Sequence, residues 1–489
     1  MSEATGTATR RVIRNSLWLL AQPILLGLAS LALLSYGARE LGKVGLGRFS
    51  AATAFVFLFV AFSGLGLSML ATRDIARNRE EGRVREYVAR LSGLRLSVAG
   101  IVAVLALVVA YLSGQGDETG GLVYLAVLVI PLEAVVRTFQ DLFIALERAR
   151  VVALAGTVGA IARIVSSFGA LALGFGVWGF LCGWLVADVA NALFALWFAR
   201  GLAVRPVLEW DFSWSAVKRG FVFYISGIVS TGHQRLDVLI LASAAGHAEV
   251  GIYAAAVGLA RRLVIIPESL GTATFAGVSG AALVDREVAR EVTARSMTLG
   301  LLFGIPIAAG CWTLSGPIVS ALFGPEFSTA VRPLAIGVWA LPLWCASYVA
   351  LFSLTAVDRE WTVFWIATVI TVTTVIGLVL PGDRLDATWA AVAMVAGQAV
   401  GTSLHLVVIR LALGPVLRLG DLARIAVATA AMSATMVAAR RFMSDGPGLT
   451  AVVGAVLLGA MVYLAVATAL GVAPWAELLG RRGERASGS

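Results

Sequence analysis

The sequence predicts an all-α polytopic membrane protein of about 14 transmembrane helices, two six-helix lobes in parallel pseudo-repeat plus two extra C-terminal helices. Three observations carry this expectation. Of 489 residues, 59% are hydrophobic and 14% charged, with a mean hydropathy of +0.90, whereas a soluble chain carries roughly 25% charge. The apolar residues fall into runs long enough to supply the roughly 20 residues that cross a hydrocarbon core. A short motif recurs after the first and the seventh run.

Taken in order, the runs lie at about 15–37, 49–71, 92–112, 122–146, 151–174, 177–199, 219–242, 251–275, 297–318, 331–356, 361–380, 386–410, 422–440 and 449–472. The first follows Arg10, Arg11 and Arg14; it exceeds a signal-peptide core and has no clear cleavage site, so it reads as a span. The second ends before the densest basic cluster, Arg73, Arg77, Arg79, Arg83, Arg85, Arg90 and Arg95, read as a topology signal rather than a headgroup or partner site. Segments on that side of the membrane hold several times as many Lys and Arg as those opposite, which places both termini in the cytoplasm of a multi-pass inner-membrane protein. The net charge of +9 therefore punctuates spans and gives no reason to expect nucleic acid as a partner. Outward loops are short, the longest lying around 323–332, too small for the catalytic loop of a membrane polymerase or glycosyltransferase.

No enzyme, metal site or cofactor is expected. Gly37 and Gly42-Lys43 have phosphate-loop spacing, but Val44 replaces the hydroxyl that would hold Mg²⁺. Cys182, Cys311 and Cys345 sit in apolar runs without metal-type spacing.

The motif G-x4-G-x-[FY]-x-A-A occurs at Gly42, Gly47, Phe49, Ala51 and Ala52 and again, at a constant offset of 204, at Gly246, Gly251, Tyr253, Ala255 and Ala256. A second match, at offset 211, pairs Pro131-Leu132, Ala145 and Glu147-Arg148 with Pro342-Leu343, Ala356 and Asp358-Arg359. Six runs separate the copies, an even number, so the halves keep one orientation. The expected domains are 1–210 (helices 1–6), 211–415 (helices 7–12) and 416–489 (helices 13–14 and a cytoplasmic tail).

Asn15-Ser16-Leu17-Trp18, the turn from Leu41-Gly42 to Phe49, Gly64-Leu65-Gly66-Leu67 before Arg73, and Ala145-Leu146-Glu147-Arg148 stand in a familiar order. With Arg235-Leu236-Asp237, the stretch from Gly251 to Ala256, and Leu322 to Phe327, the sequence resembles the polysaccharide and oligosaccharide flippases of the multidrug/oligosaccharidyl-lipid/polysaccharide exporter superfamily over about 10–440. The resemblance implies a V-shaped two-lobe fold and a cargo of polyprenyl-pyrophosphate-linked glycan. Fourteen spans favour this branch over the drug exporters, which usually have twelve.

Charges inside the runs are the sharpest functional signal, because an ionisable group at bilayer depth normally faces protein or a water-filled cavity. Glu133, Arg137 and Asp141 recur at i, i+4 and i+8, a spacing that stacks them as ion pairs on one helix face. Arg261 and Arg262 lie about ten residues, or about 15 Å, into the eighth run, and their planar forks suit phosphate oxygens. Glu268, seven residues after Arg261, returns to nearly the same face and is placed to neutralise it. Arg235 and Asp237 read equally as a closing salt bridge or as substrate contacts, and Arg163 and Asp188 equally as packing or cavity groups. The expected substrate-binding residues are Arg137, Arg261, Arg262, Arg163 and Arg235; those for ion coupling or gating are Asp188, Asp237, Glu133, Asp141 and Glu268. The leading expectation is a flippase working by alternating access, its headgroup cavity between the lobes, with membrane lipid and a coupling ion, H⁺ or Na⁺, as further partners. The rivals are a cation-coupled drug or small-solute antiporter and an integral-membrane glycosyltransferase or polymerase. The sequence assigns neither the sugar nor an oligomeric state.

Overall fold

The computed structural model describes residues 2–472 apart from 78, 115–118, 120, 203–204, 283–284 and 442–447. The side chains of Arg10, Arg11, Arg14 and residues 15–18, the loop at Gly116, and the tail 473–489 lie outside the described residues. Two compact units divide the chain, 1–228 and 229–489. Among the described residues every regular element is helical.

In the first unit, α1 (Ser2–Ser63) passes through one non-helical residue, Gly42, at φ 63 and ψ 179, a region that essentially only glycine occupies. The chain then turns through Leu65 and Gly66, both at positive φ, so the second predicted span stops at Ser63 rather than near residue 71. Next comes α2 (Leu67–Arg77), which buries Leu67, Leu70, Ala71 and Ile75 at helical spacing. These pack on Leu91 and Leu94 of α3 (Glu81–Leu112) and on Phe139 and Leu142 of α5 (Val129–Ala145), which follows the short α4 (Leu122–Ala126). The pair α6 (Ala149–Ala172) and α7 (Gly176–Ala199) meets through small residues: a Cβ on Gly183 would lie 2.1 Å from Ser167 Oγ, and one on Gly179 2.7 Å from Ala170. Close backbone approach of this kind replaces hydrophobic driving force between helices in lipid.

The unit boundary falls inside α8 (Trp210–Arg262), which repeats the device of α1 with Gly246 at φ 81 and ψ 175. The second unit continues with α9 (Ile265–Ala282), α10 (Arg286–Thr313), α11 (Ser315–Phe323), α12 (Val331–Gly337), α13 (Ala340–Ala356), α14 (Glu360–Val379) and α15 (Ala387–Leu413). Its α14 and α15 meet as α6 and α7 do, with Gly397 against Thr374 and Gly401 against Ile370. Two further helices, α16 (Leu419–Arg440) and α17 (Leu449–Ala469), dock on α10: Met436 covers Gly310, and Tyr463 Oη donates to the Leu302 carbonyl at 2.7 Å.

Both repeat matches mark the same backbone events. The two non-helical glycines are the first glycines of the two motif copies. Glu147 and Asp358, paired by the second match, both sit at φ 58, and the amides of Arg148 and Arg359 bond back to Phe143 and Leu354 in the same helix-ending geometry. Twelve helical stretches among the described residues are long and apolar enough to cross a membrane. The two predicted segments on either side of Gly42 both overlap one of them, Ala29–Ser63, and the two around Gly246 both overlap another, Gln234–Ala281.

Candidate functional site

The second unit holds a tight group of polar side chains within Gln234–Ala281, a helical stretch long and apolar enough to cross a membrane. Asp237 on α8 is 2% exposed. Its Oδ2 accepts hydrogen bonds from Tyr253 Oη and from Arg261 Nη2, each at 2.5 Å, and its Oδ1 accepts the backbone N–H of Val238 at 2.8 Å. Arg261 keeps 26% of its side chain exposed. Arg262 donates to the Gly258 carbonyl at 2.7 Å. The helix stops at Arg262 and restarts at Ile265, so both guanidinium groups stand at a helix C-terminus, where the freed carbonyls favour positive charge. Arg235, on the same helix, lies within electrostatic range of both Asp237 and Arg261.

That break corrects one expectation. Glu268 belongs to the next helix and is exposed; the helical register that would carry it back to Arg261 ends at Arg262, and the neutralising partner is Asp237. Sequence reasoning also missed Tyr253, whose signal was the aromatic position of the repeated motif.

In the first unit, the expected stack on α5 splits. Arg137 donates from both Nε and Nη2 to Glu133 at 2.9 Å, in a half-exposed pair. Asp141 instead pairs at 2.6 Å with Arg95, both buried, and Arg95 also donates to Thr138 Oγ1 at 3.3 Å and Ser68 Oγ at 3.2 Å. Arg95 therefore leaves the topology cluster: α3 begins at Glu81, eleven residues before the predicted run, and carries residue 95 into the packed interior. Other members of the cluster pair at the helix ends, Arg79 with Glu147, Arg83 with Glu80, and Arg90 with Glu86 and Glu209. The Arg79 hydrogen bond holds the Glu147 carboxyl below the usual carboxylate range.

Arg163 of α6 and Asp188 of α7 come together with Ser30, Trp184 and Asn191 around a cavity of about 220 Å³. They act on each other electrostatically without forming a direct ion pair among the described residues. Glu133 lies within electrostatic range of Asp188.

The sequence pattern of the family described as "Polysaccharide biosynthesis protein" matches residues 12–276, just over half the chain and all the residues named above as a site. The chain belongs to that family. This family member is 26% identical over 338 residues to a putative O-antigen transporter of Shigella flexneri, covering 65% of its own length and 78% of the relative's. Its fold is similar to that of a solved structure of the lipid II flippase MurJ in an inward closed conformation, with a TM-score of 0.73 at 14% identity over 92% of this chain and 99% of that one. An inward-facing multidrug transporter of the MATE family aligns with a TM-score of 0.62 at 16% identity, over 78% of this chain and 94% of that one. At these identities the structural likeness speaks for the fold alone: a polytopic, all-α membrane architecture.

Proposed function

We propose that the protein is a flippase that carries a polyprenyl-pyrophosphate-linked oligosaccharide across the cytoplasmic membrane by alternating access, for cell-surface polysaccharide synthesis. Family membership supports the class, and the relative described as an O-antigen transporter supports the glycan. The observation that carries the reading in this chain is the pair Arg261 and Arg262 at a helix break inside the span, with Arg261 partly open and held by Asp237. A guanidinium fork offers two parallel donors to phosphate oxygens. Asp237 then acts as a gating counter-ion: it neutralises Arg261 while cargo is absent, and the cargo's pyrophosphate takes over that guanidinium. Arg235 adds positive potential to the same helix, and Arg137 supplies a further candidate contact in the first unit. The same fold likeness extends to a multidrug transporter, but two adjacent guanidinium groups favour an anionic cargo over a cationic drug. Energy comes from an H⁺ or Na⁺ gradient or the membrane potential, in an inner-membrane protein with both termini cytoplasmic.

Binding of undecaprenyl pyrophosphate to purified variants tests the assignment. Arg261→Ala or Arg262→Ala removes a charge-assisted hydrogen bond, about 1.5–3 kcal/mol, and weakens affinity roughly ten- to a hundredfold. Arg→Lys keeps the charge, loses the fork, and falls between. Unchanged affinity in folded Ala variants at both positions would remove the cationic site.

A further inference from the structure

Arg163 and Asp188 are expensive groups to place at membrane depth unless something compensates them. They face one cavity, and among the described residues neither side chain has a hydrogen-bond or ion-pair partner. The Asn191 amide oxygen is buried and also has no hydrogen-bond partner. Ser30 adds a hydroxyl, and Trp184 forms an aromatic wall, held from behind by Phe57 at 5.2 Å and Phe49 at 6.3 Å between ring centroids.

The balance of charge selects what fits. A phosphate would meet the Asp188 carboxylate with Glu133 within electrostatic range, and a simple cation would meet Arg163. A neutral ring with several hydroxyls satisfies every group at once. The guanidinium donates only, the carboxylate accepts only, and the amide does both, so adjacent hydroxyls can bridge each planar fork. An indole offers flat apolar surface to the C–H face of such a ring, with little entropy to lose. At about 220 Å³ the space is smaller than the roughly 300–1,000 Å³ of drug-sized sites and suits one ring.

We propose that this cavity of the first unit is a sugar subsite, which receives a single uncharged pyranose residue of the translocated glycan. The proposal rests on the flippase reading above and adds to it a recognition element separate from the pyrophosphate site.

Gly156 allows a test that leaves the polar groups in place. It lines the cavity, and a Cβ built there meets nothing within 4 Å, so Gly156→Leu fills the space without changing a charge. The full-length protein is titrated with undecaprenyl pyrophosphate and with its glucose, galactose, N-acetylglucosamine and N-acetylgalactosamine conjugates. The proposal expects at least one conjugate to bind about tenfold or more tightly than the bare lipid, the gain of one or two well-placed hydrogen bonds. In Gly156→Leu that advantage disappears while affinity for bare undecaprenyl pyrophosphate stays within about twofold. Asp188→Asn, close in shape, is the second variant and should lose most of the advantage as well. The subsite is overturned if no conjugate outbinds the bare lipid, or if folded Gly156→Leu retains the preference. Failure of the wild type to bind any of the five lipids would instead overturn the flippase reading on which the subsite rests.

Discussion

Arg95 and Asp141 stand 46 residues apart in the chain and 2.6 Å apart in the fold, both almost without solvent. Stripping one member from such a pair leaves an uncompensated buried charge, so Arg95→Ala should cost about 3–5 kcal/mol. A lower melting temperature and a lower membrane yield are the readouts; Arg95→Lys should recover part of both. Arg137→Ala has the opposite profile. Its pair with Glu133 is half exposed, worth under about 1 kcal/mol, so the melting temperature should hardly move. Loss of glycolipid export in a well-folded Arg137→Ala would thus report on cargo rather than on folding. The spacing of Glu133, Arg137 and Asp141 was legible in the sequence, but the partner of Asp141 was not. Arg95 looked like the last arginine of a loop because hydropathy marks where apolar residues begin, whereas the helix itself begins at Glu81.

At the scale of elements, the two kinks are the clearest case. Gly42 and Gly246 hold φ 63 and φ 81 with ψ near 180, and an alanine forced there should cost about 1–3 kcal/mol, read as a fall in thermal stability for either variant. The two helix ends at Glu147 and Asp358 predict the reverse. Each places a side chain at φ 58, and Asp358→Gly should stabilise the protein by about 1 kcal/mol by relieving it. Glu147→Gly should gain less, because it also gives up the ion pair with Arg79. The repeat in the sequence located all four positions. It could not reveal their backbone angles, nor the breaks after Ser63 and Arg262, because Leu65 and Leu263 look like any other apolar residue of a span.

For the molecule in its membrane, the basic side of the helices should face the cytoplasm. Asp383, exposed in the short turn between α14 and α15, and Gly82, exposed at the start of α3, are expected on opposite sides of the membrane. In intact cells Asp383→Cys should react with an impermeant thiol reagent and Gly82→Cys should not; the reverse pattern would invert every loop assignment. The order of the spans could be read from apolar run lengths, since lipid imposes a minimum length; the structure counts twelve candidate stretches among the described residues, because the helices on the two sides of Gly42 and of Gly246 run on without an intervening loop. The docking of α16 and α17 on α10 could not, because Met436 and Tyr463 carry no sign of their neighbours. Counting back 204 residues from Asp237, Tyr253 and Arg261 gives Leu33, Phe49 and Phe57, all apolar. The two copies of the repeat thus share a backbone kink, while the charged and hydroxyl groups gathered around Asp237 have apolar counterparts in the first copy. A saturation mutagenesis screen should find Asp237, Tyr253 and Arg261 intolerant of apolar replacement, and Leu33, Phe49 and Phe57, which line or back the cavity of the first unit, tolerant only of apolar residues of similar bulk.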